Sequence, residues 1–217
     1  MKSFQVLLLD FDGTIADTGP AIAHSMRQAF AAHGAALPET SDVLAYVGAP
    51  LPAMITALRP GLAVDAVTAL AETYRTIYRE EGLALMRLFP GIQETLEEAR
   101  RLGARLAVAS NKKHEALGLS VRQLGMEALF EVVAGLESAG PVKPERAFFD
   151  TRIQPWFKEV PLSELLVVGD AEPDLALARN IGAAACWVTW GLGDPVRCAA
   201  YVPEYVLSEP GDLLSLV

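Results

Sequence analysis

The sequence predicts an α/β protein, a doubly wound core around a parallel sheet that carries an inserted helical unit. Short apolar runs recur without alternation, and each closes on a polar residue. Val6-Leu7-Leu8-Leu9 closes on Asp10, Leu106-Ala107-Val108-Ala109 on Ser110, and Leu165-Leu166-Val167-Val168 on Gly169-Asp170. Unbroken runs of this kind suit strands buried on both faces, as in a parallel sheet. Helical patterns lie between them, and strands alternating with helices are what a doubly wound sheet requires. The stretch from Thr18 to about Leu85 breaks that alternation with helical patterns alone.

Taken in order, Val6 to Leu9 is the first strand. Ile22, Met26, Ala29, Phe30 and His33 then share one helix face, and Val67, Leu70, Ala71, Tyr74, Ile77 and Tyr78 share another. Gly48-Ala49-Pro50 and Pro60-Gly61 cut this segment into several helices. Ile92, Leu96, Ala99 and Leu102 line a further helix that Gly103 ends. The Leu106 strand follows, then a strand at Glu131-Val132-Val133. After the Leu165 strand, Leu175, Ala178 and Ile181 mark a helix closed by Gly182. Ala185-Cys186-Trp187-Val188 is the last expected strand. The expected organisation is a core of residues 1–16 and 86–217 with a helical domain at 17–85.

With 217 residues, of which 52% are hydrophobic and 21% charged, the chain can bury a sizeable core and is not disordered. A net charge of -9 and a pI near 4.9 argue against nucleic-acid or anionic-membrane partners. Cys186 and Cys198 form no CxxC or Cys/His cluster, so no zinc site is expected, and they read as free thiols in a reducing compartment. The apolar run near the N-terminus is too short for a signal peptide or a membrane span. A soluble, cytoplasmic protein is expected.

Ligands of open parallel sheets bind at the carboxyl ends of strands. Three strand ends here offer Asp10, Ser110 and Asp170. In Asp10-Phe11-Asp12-Gly13-Thr14, two carboxylates at a strand end repel by roughly 4 kcal/mol at an intermediate dielectric. A cation, a shared proton or a lysine must offset that; the bland alternative is an Asp-Gly turn. Asp170 and Asp174 add a second acidic pair, with Asp174 also placed to cap a helix. Hard oxygen ligands from two strand ends suit Mg²⁺. Lys143, before Pro144 at an expected helix start, and Ser110-Asn111, at a strand end, are candidate anion contacts.

Asp10-x-Asp12-Gly13-Thr14, Ser110-Asn111, Lys143-Pro144 and Gly169-Asp170 with Asp174 resemble the four ordered motifs of the haloacid dehalogenase superfamily. Within it the chain is most similar to phosphoglycolate phosphatase-like enzymes. The resemblance implies a Rossmann-like core with an inserted helical cap, and an Mg²⁺-dependent phosphatase of a small phosphate monoester. By position, Asp10 would be the nucleophile that forms an aspartyl-phosphate, and Asp12 the general acid and then base. Asp10, the Asp12 backbone carbonyl and Asp170 would hold Mg²⁺, which Mn²⁺ could replace. Asp174 would position the metal or its water. Ser110, Asn111 and Lys143 would bind or shape the phosphate site. Ala171 stands where many relatives carry Ser or Thr.

A phosphosugar mutase or other phosphotransferase, and a pyrophosphatase, are the alternatives on the same scaffold. A haloacid dehalogenase or a non-catalytic regulatory protein fits less well, because Asp12, Asp170 and Asp174 are all present. The expected partner is a small phosphate ester, and the expected assembly a monomer or homodimer. Lys112 could sense an anion. Arg27, Arg75 and Arg79 are expected on exposed helix faces, and Tyr74 and Tyr78 in helix packing. His24, His33 and His114 are scattered.

Overall fold

The computed structural model describes residues 3–217. The first apolar run forms β1 (Val6–Leu9), with every side chain inaccessible. A turn through Gly13, whose φ of 88° is accessible to glycine at little cost, leads to β2 (Ala16–Asp17). Four helices follow: α1 (Gly19–Ala32), α2 (Thr40–Leu44), α3 (Leu51–Leu58) and α4 (Val64–Glu80). The short strand β3 (Arg87–Leu88) returns antiparallel to β2, so a two-stranded ribbon brackets the helical segment.

The alternation then resumes with α5 (Ile92–Arg101), β4 (Arg105–Lys113), α6 (His114–Gln123), β5 (Val132–Leu136) and α7 (Arg146–Arg152). It ends with β6 (Leu165–Gly169), α8 (Glu172–Ile181), β7 (Ala184–Val188), α9 (Pro195–Ala199) and β8 (Tyr205–Leu207). The main sheet runs β5-β4-β1-β6-β7-β8 with all pairs parallel. The chain winds outward from β1 in one direction and then in the other. The reversal opens a crevice at the carboxyl ends of β4, β1 and β6.

Side chains of a strand alternate between faces. Leu7 and Leu9 therefore pack with Leu106, Val108, Leu166 and Val168 beneath Ile92 and Leu96 of α5. Val6 and Leu8 point the other way and pack with Phe148 and Phe149 of α7 and Leu175 and Ala178 of α8. Burying each large apolar side chain stabilises by about 1.5–3 kcal/mol, so apolar residues at every strand position hold helices on both faces. The helical segment builds its own apolar cluster from Ile22, Met26, Phe30, Met54, Ile55, Leu70, Tyr74, Tyr78 and Met86.

Several local expectations are corrected. Leu102 caps α5 and is 51% exposed rather than buried. His33 lies beyond the end of α1 and is exposed. Ser110 and Asn111 do not end their strand, which runs on to Lys113 through a register shift against β5. Pro144 does not start a helix: α7 begins at Arg146, so Lys143 does not sit at a helix N-terminus. Arg75 is half-buried, and Arg27 donates to the Pro38 carbonyl. Both cysteines are free and buried. Among the described residues no helix is long and apolar enough to cross a membrane.

Candidate active site

Asp10 leaves β1 and Asp170 leaves β6, side by side because the two strands pair in register through Leu9 and Val168. Asp174 lies in the first turn of α8. Its Oδ2 accepts from the Ala171 backbone N–H at 3.2 Å, and Ala171 has no hydroxyl with which to return the bond. Carboxylate oxygens of Asp10, Asp170 and Asp174 lie within 4.8 Å of one another, all buried. Burial pushes Asp10 up to about 7; Lys143 opposes this, and Asp174 and Asp12 add to it. Asp170 rises to about 6, again chiefly through burial, with Asp10 adding to it. This excess negative charge and the oxygen-only donor set fit a hard divalent cation. Asp10 Oδ1 is buried, and Lys143 Nζ faces it as an ion pair without hydrogen-bond geometry.

Lys143 supplies the counter-charge. Its Nζ donates to Asp174 Oδ1 and to the Ala109 carbonyl, both at 2.6 Å, and faces Asp10 Oδ1 as an ion pair at 2.9 Å. Burial works against its ammonium, yet Asp10 and Asp174 hold it above the ordinary lysine range. Asn111 fixes the segment that presents it. Asn111 Oδ1 accepts from the Lys143 N–H at 2.9 Å, and Nδ2 donates to the carbonyls of Lys143 at 3.1 Å and Gly48 at 2.9 Å. The last bond ties the core to the α2–α3 loop. Ser110 is buried beside it and accepts from the Lys112 N–H at 3.3 Å, which leaves its hydroxyl proton free to donate.

Asp12 pairs with Lys112, whose Nζ donates to Asp12 Oδ1 at 3.0 Å and lies 4.3 Å from the centre of the Tyr78 ring. Burial disfavours the Lys112 ammonium, but Asp12 and the tyrosines keep it firmly charged. Tyr78 stacks on Tyr74 at 5.8 Å, so the aromatic pair packs α4 and also meets a cation of the site. Asp10, Asp12, Ser110, Asn111 and Lys112 line a cavity of about 760 Å³ between the sheet and the helical segment. Lys143, Asp170 and Asp174 do not line this cavity; they lie behind Asp10, joined to it by the Lys143 ion pair and the carboxylate cluster.

The sequence left the loop after β7 unassigned. Leu192 and Gly193 N–H groups donate to Asp170 Oδ2 at 2.8 and 3.2 Å, and Thr14 Oγ1 donates to Oδ1 at 2.8 Å. Trp190 Nε1 donates to the Thr14 carbonyl at 3.1 Å and joins the two supports. A Cβ on Gly191 would lie 2.2 Å from Asp170 Cβ, and one on Gly193 would lie 2.0 Å from the Asp170 carbonyl oxygen. Gly191-x-Gly193 just past a strand end was the available signal.

Residues 7–188 match the family described as haloacid dehalogenase-like hydrolase. The chain is 28% identical over its whole length to phosphoglycolate phosphatase of Vibrio parahaemolyticus, spanning 97% of that protein. It is 34% identical over 88% of its length to the tyrosine-protein kinase PtkA of Mycobacterium tuberculosis, of which it spans 64%. A crystal structure described as a predicted phosphoglycolate phosphatase from Haemophilus somnus superposes with a TM-score of 0.89. That similarity covers 99% of this chain and 98% of that one at 24% identity, and speaks for the fold.

Proposed function

The chain belongs to the haloacid dehalogenase-like hydrolase family and is a phosphoric monoester hydrolase of it, and we propose that it works through an aspartyl-phosphate on Asp10 with Mg²⁺ as cofactor. The observation that carries the proposal is the pairing of a buried Asp10 carboxylate with Lys143 beside Asp170 and Asp174. One Asp10 oxygen attacks phosphorus, and the ester P–O bond breaks on the far side. Asp12, at the cavity wall, gives the leaving alkoxide its proton. It then takes one from the water that hydrolyses the aspartyl-phosphate, which releases phosphate and regenerates Asp10. Ser110 donates to a phosphoryl oxygen, and Lys143 offsets charge on the equatorial oxygens. A divalent cation held by Asp10, Asp170 and the Asp12 backbone carbonyl would neutralise further charge there, with Asp174 positioning its surroundings.

The segment 17–85 is read as a cap over a core of residues 1–16 and 86–217. Its own apolar cluster and the bracketing ribbon support that division, and a cap that closes excludes bulk water from the reaction. The leading substrate is 2-phosphoglycolate, on the likeness to the phosphoglycolate phosphatase above. Phosphate release across a panel of small phosphate esters and pyrophosphate, with Mg²⁺ and with EDTA, tests the reading. Turnover should require the cation and fall at least about 10³-fold in Asp10→Asn, the cost of a lost nucleophile. Wild-type-like turnover in folded Asp10→Asn would overturn the nucleophile assignment.

A further inference from the structure

The cations around the cavity are not equally free. Lys143 is held by Asp10, Asp174 and the Ala109 carbonyl, and Lys112 by Asp12 and the Tyr78 ring. Lys113 and Arg79 also line the cavity but stand exposed to solvent. Arg75 differs from all of them. It projects from α4, one residue after Tyr74, lines the same cavity as Asp10 and Ser110, and is half-buried. It makes no hydrogen bond or ion pair with any described residue, and its Nε is buried without a partner. Glu72, one turn earlier on the same helix and also at the cavity, does not pair with it.

Buried polar groups in native proteins are almost always satisfied, and an orphan calls for an explanation. A guanidinium is the extreme case, because it stays charged and offers donors in a planar fork that matches a carboxylate or a phosphate. In a chain of net charge -9 a stray arginine has many acidic groups to choose from, yet this one faces a cavity. The phosphoryl group itself is provided for by Ser110 and by Lys143 behind Asp10.

We propose that Arg75 is the specificity-determining residue of the helical segment, binding a second anionic group of the substrate while its phosphoryl group sits over Asp10. The inference rests on the phosphatase reading and narrows its substrate class to phosphate esters or anhydrides with a second anion, a carboxylate or another phosphate. The planar fork favours bidentate contact, so lysine is a poor replacement. Arg75 acts on binding and leaves the reacting atoms to the floor of the site.

The test compares 2-phosphoglycolate, pyrophosphate and ethyl phosphate as substrates, the last having no second anion. Wild type should prefer one of the first two over ethyl phosphate, and which one identifies the second anion as carboxylate or phosphate. In Arg75→Met that preference, as a ratio of kcat/KM values, should fall at least tenfold, carried by KM. Arg75→Lys should recover only part of it, with circular dichroism confirming that both variants fold. An unchanged ratio in both variants, with all esters still hydrolysed, overturns this inference and leaves the phosphatase standing. Hydrolysis of no phosphate compound by folded, metal-supplied wild type overturns both.

Discussion

Lys143 is the residue on which the charge balance of the site turns. Its ammonium is buried among Asp10, Asp174 and a main-chain carbonyl. Removing one member of a buried ionic cluster leaves the others unpaired, at a cost of about 3–5 kcal/mol. Lys143→Met should therefore lower the metal-free Tm by on the order of 10 °C, and added Mg²⁺ should restore part of the loss by replacing the missing positive charge. An unchanged Tm in calorimetry would count against the pairing. The sequence made Lys143 visible for a partly mistaken reason. Lys-Pro suggested a helix N-terminus, whereas the helix starts later and Asn111 grips the segment from across the sheet. Asp170 was legible because a carboxylate ending a buried strand needs a partner, and Asp10, whose segment an Asp-Gly turn explains as well when taken alone, became legible through that second acidic pair. Arg75 was not, because helical spacing gives a residue its face but does not say whether another unit covers that face.

At the scale of elements, the loop between β7 and α9 acts as a clamp on the end of β6. Its amides and Thr14 occupy both oxygens of Asp170, and Trp190 couples the two supports. Trp190→Phe removes the coupling hydrogen bond while keeping an aromatic ring. The Mg²⁺ concentration for half-maximal turnover should rise about tenfold, at the lower end of what loss of a ligand-orienting contact costs, with little change in the Tm of metal-free protein. Gly193→Ala should be far worse, since its Cβ would collide with the Asp170 main chain. If Trp190→Phe leaves the metal titration unmoved, the loop does not orient Asp170. The strands feeding this site were readable as apolar runs because they are buried on both faces. The edge strand β8 was not, because Tyr205-Val206-Leu207 is short and leaves Val206 54% exposed. The ribbon strands β2 and β3 each span only two residues, below any periodicity a sequence can display.

For the whole molecule, the clustering of Asp10, Asp170 and Asp174 predicts a stability that depends on pH and, under the proposed metal site, on a divalent cation as well. Without a cation, burial raises all of them above the ordinary 3.8, Asp10 to about 7 and Asp170 to about 6. The folded chain then binds more protons than the unfolded chain between those values. This contribution is fully present below the unfolded value and is lost as pH climbs through 6 to 7. Lys112 and Lys143 are raised as well, but their effect is lost only above the ordinary lysine range, outside this window. The exposed, lowered Glu98 and Glu159 act only at the acid end. In EDTA the Tm should therefore fall between pH 5 and pH 8. A divalent cation stabilises the ionised carboxylates in place of protons, so Mg²⁺ should raise the Tm more at pH 8 than at pH 5, flattening the profile. Thermal melts over this range, with and without Mg²⁺, isolate the effect because groups remote from the cation contribute equally to both curves. Parallel curves would mean that these carboxylates do not share a cation.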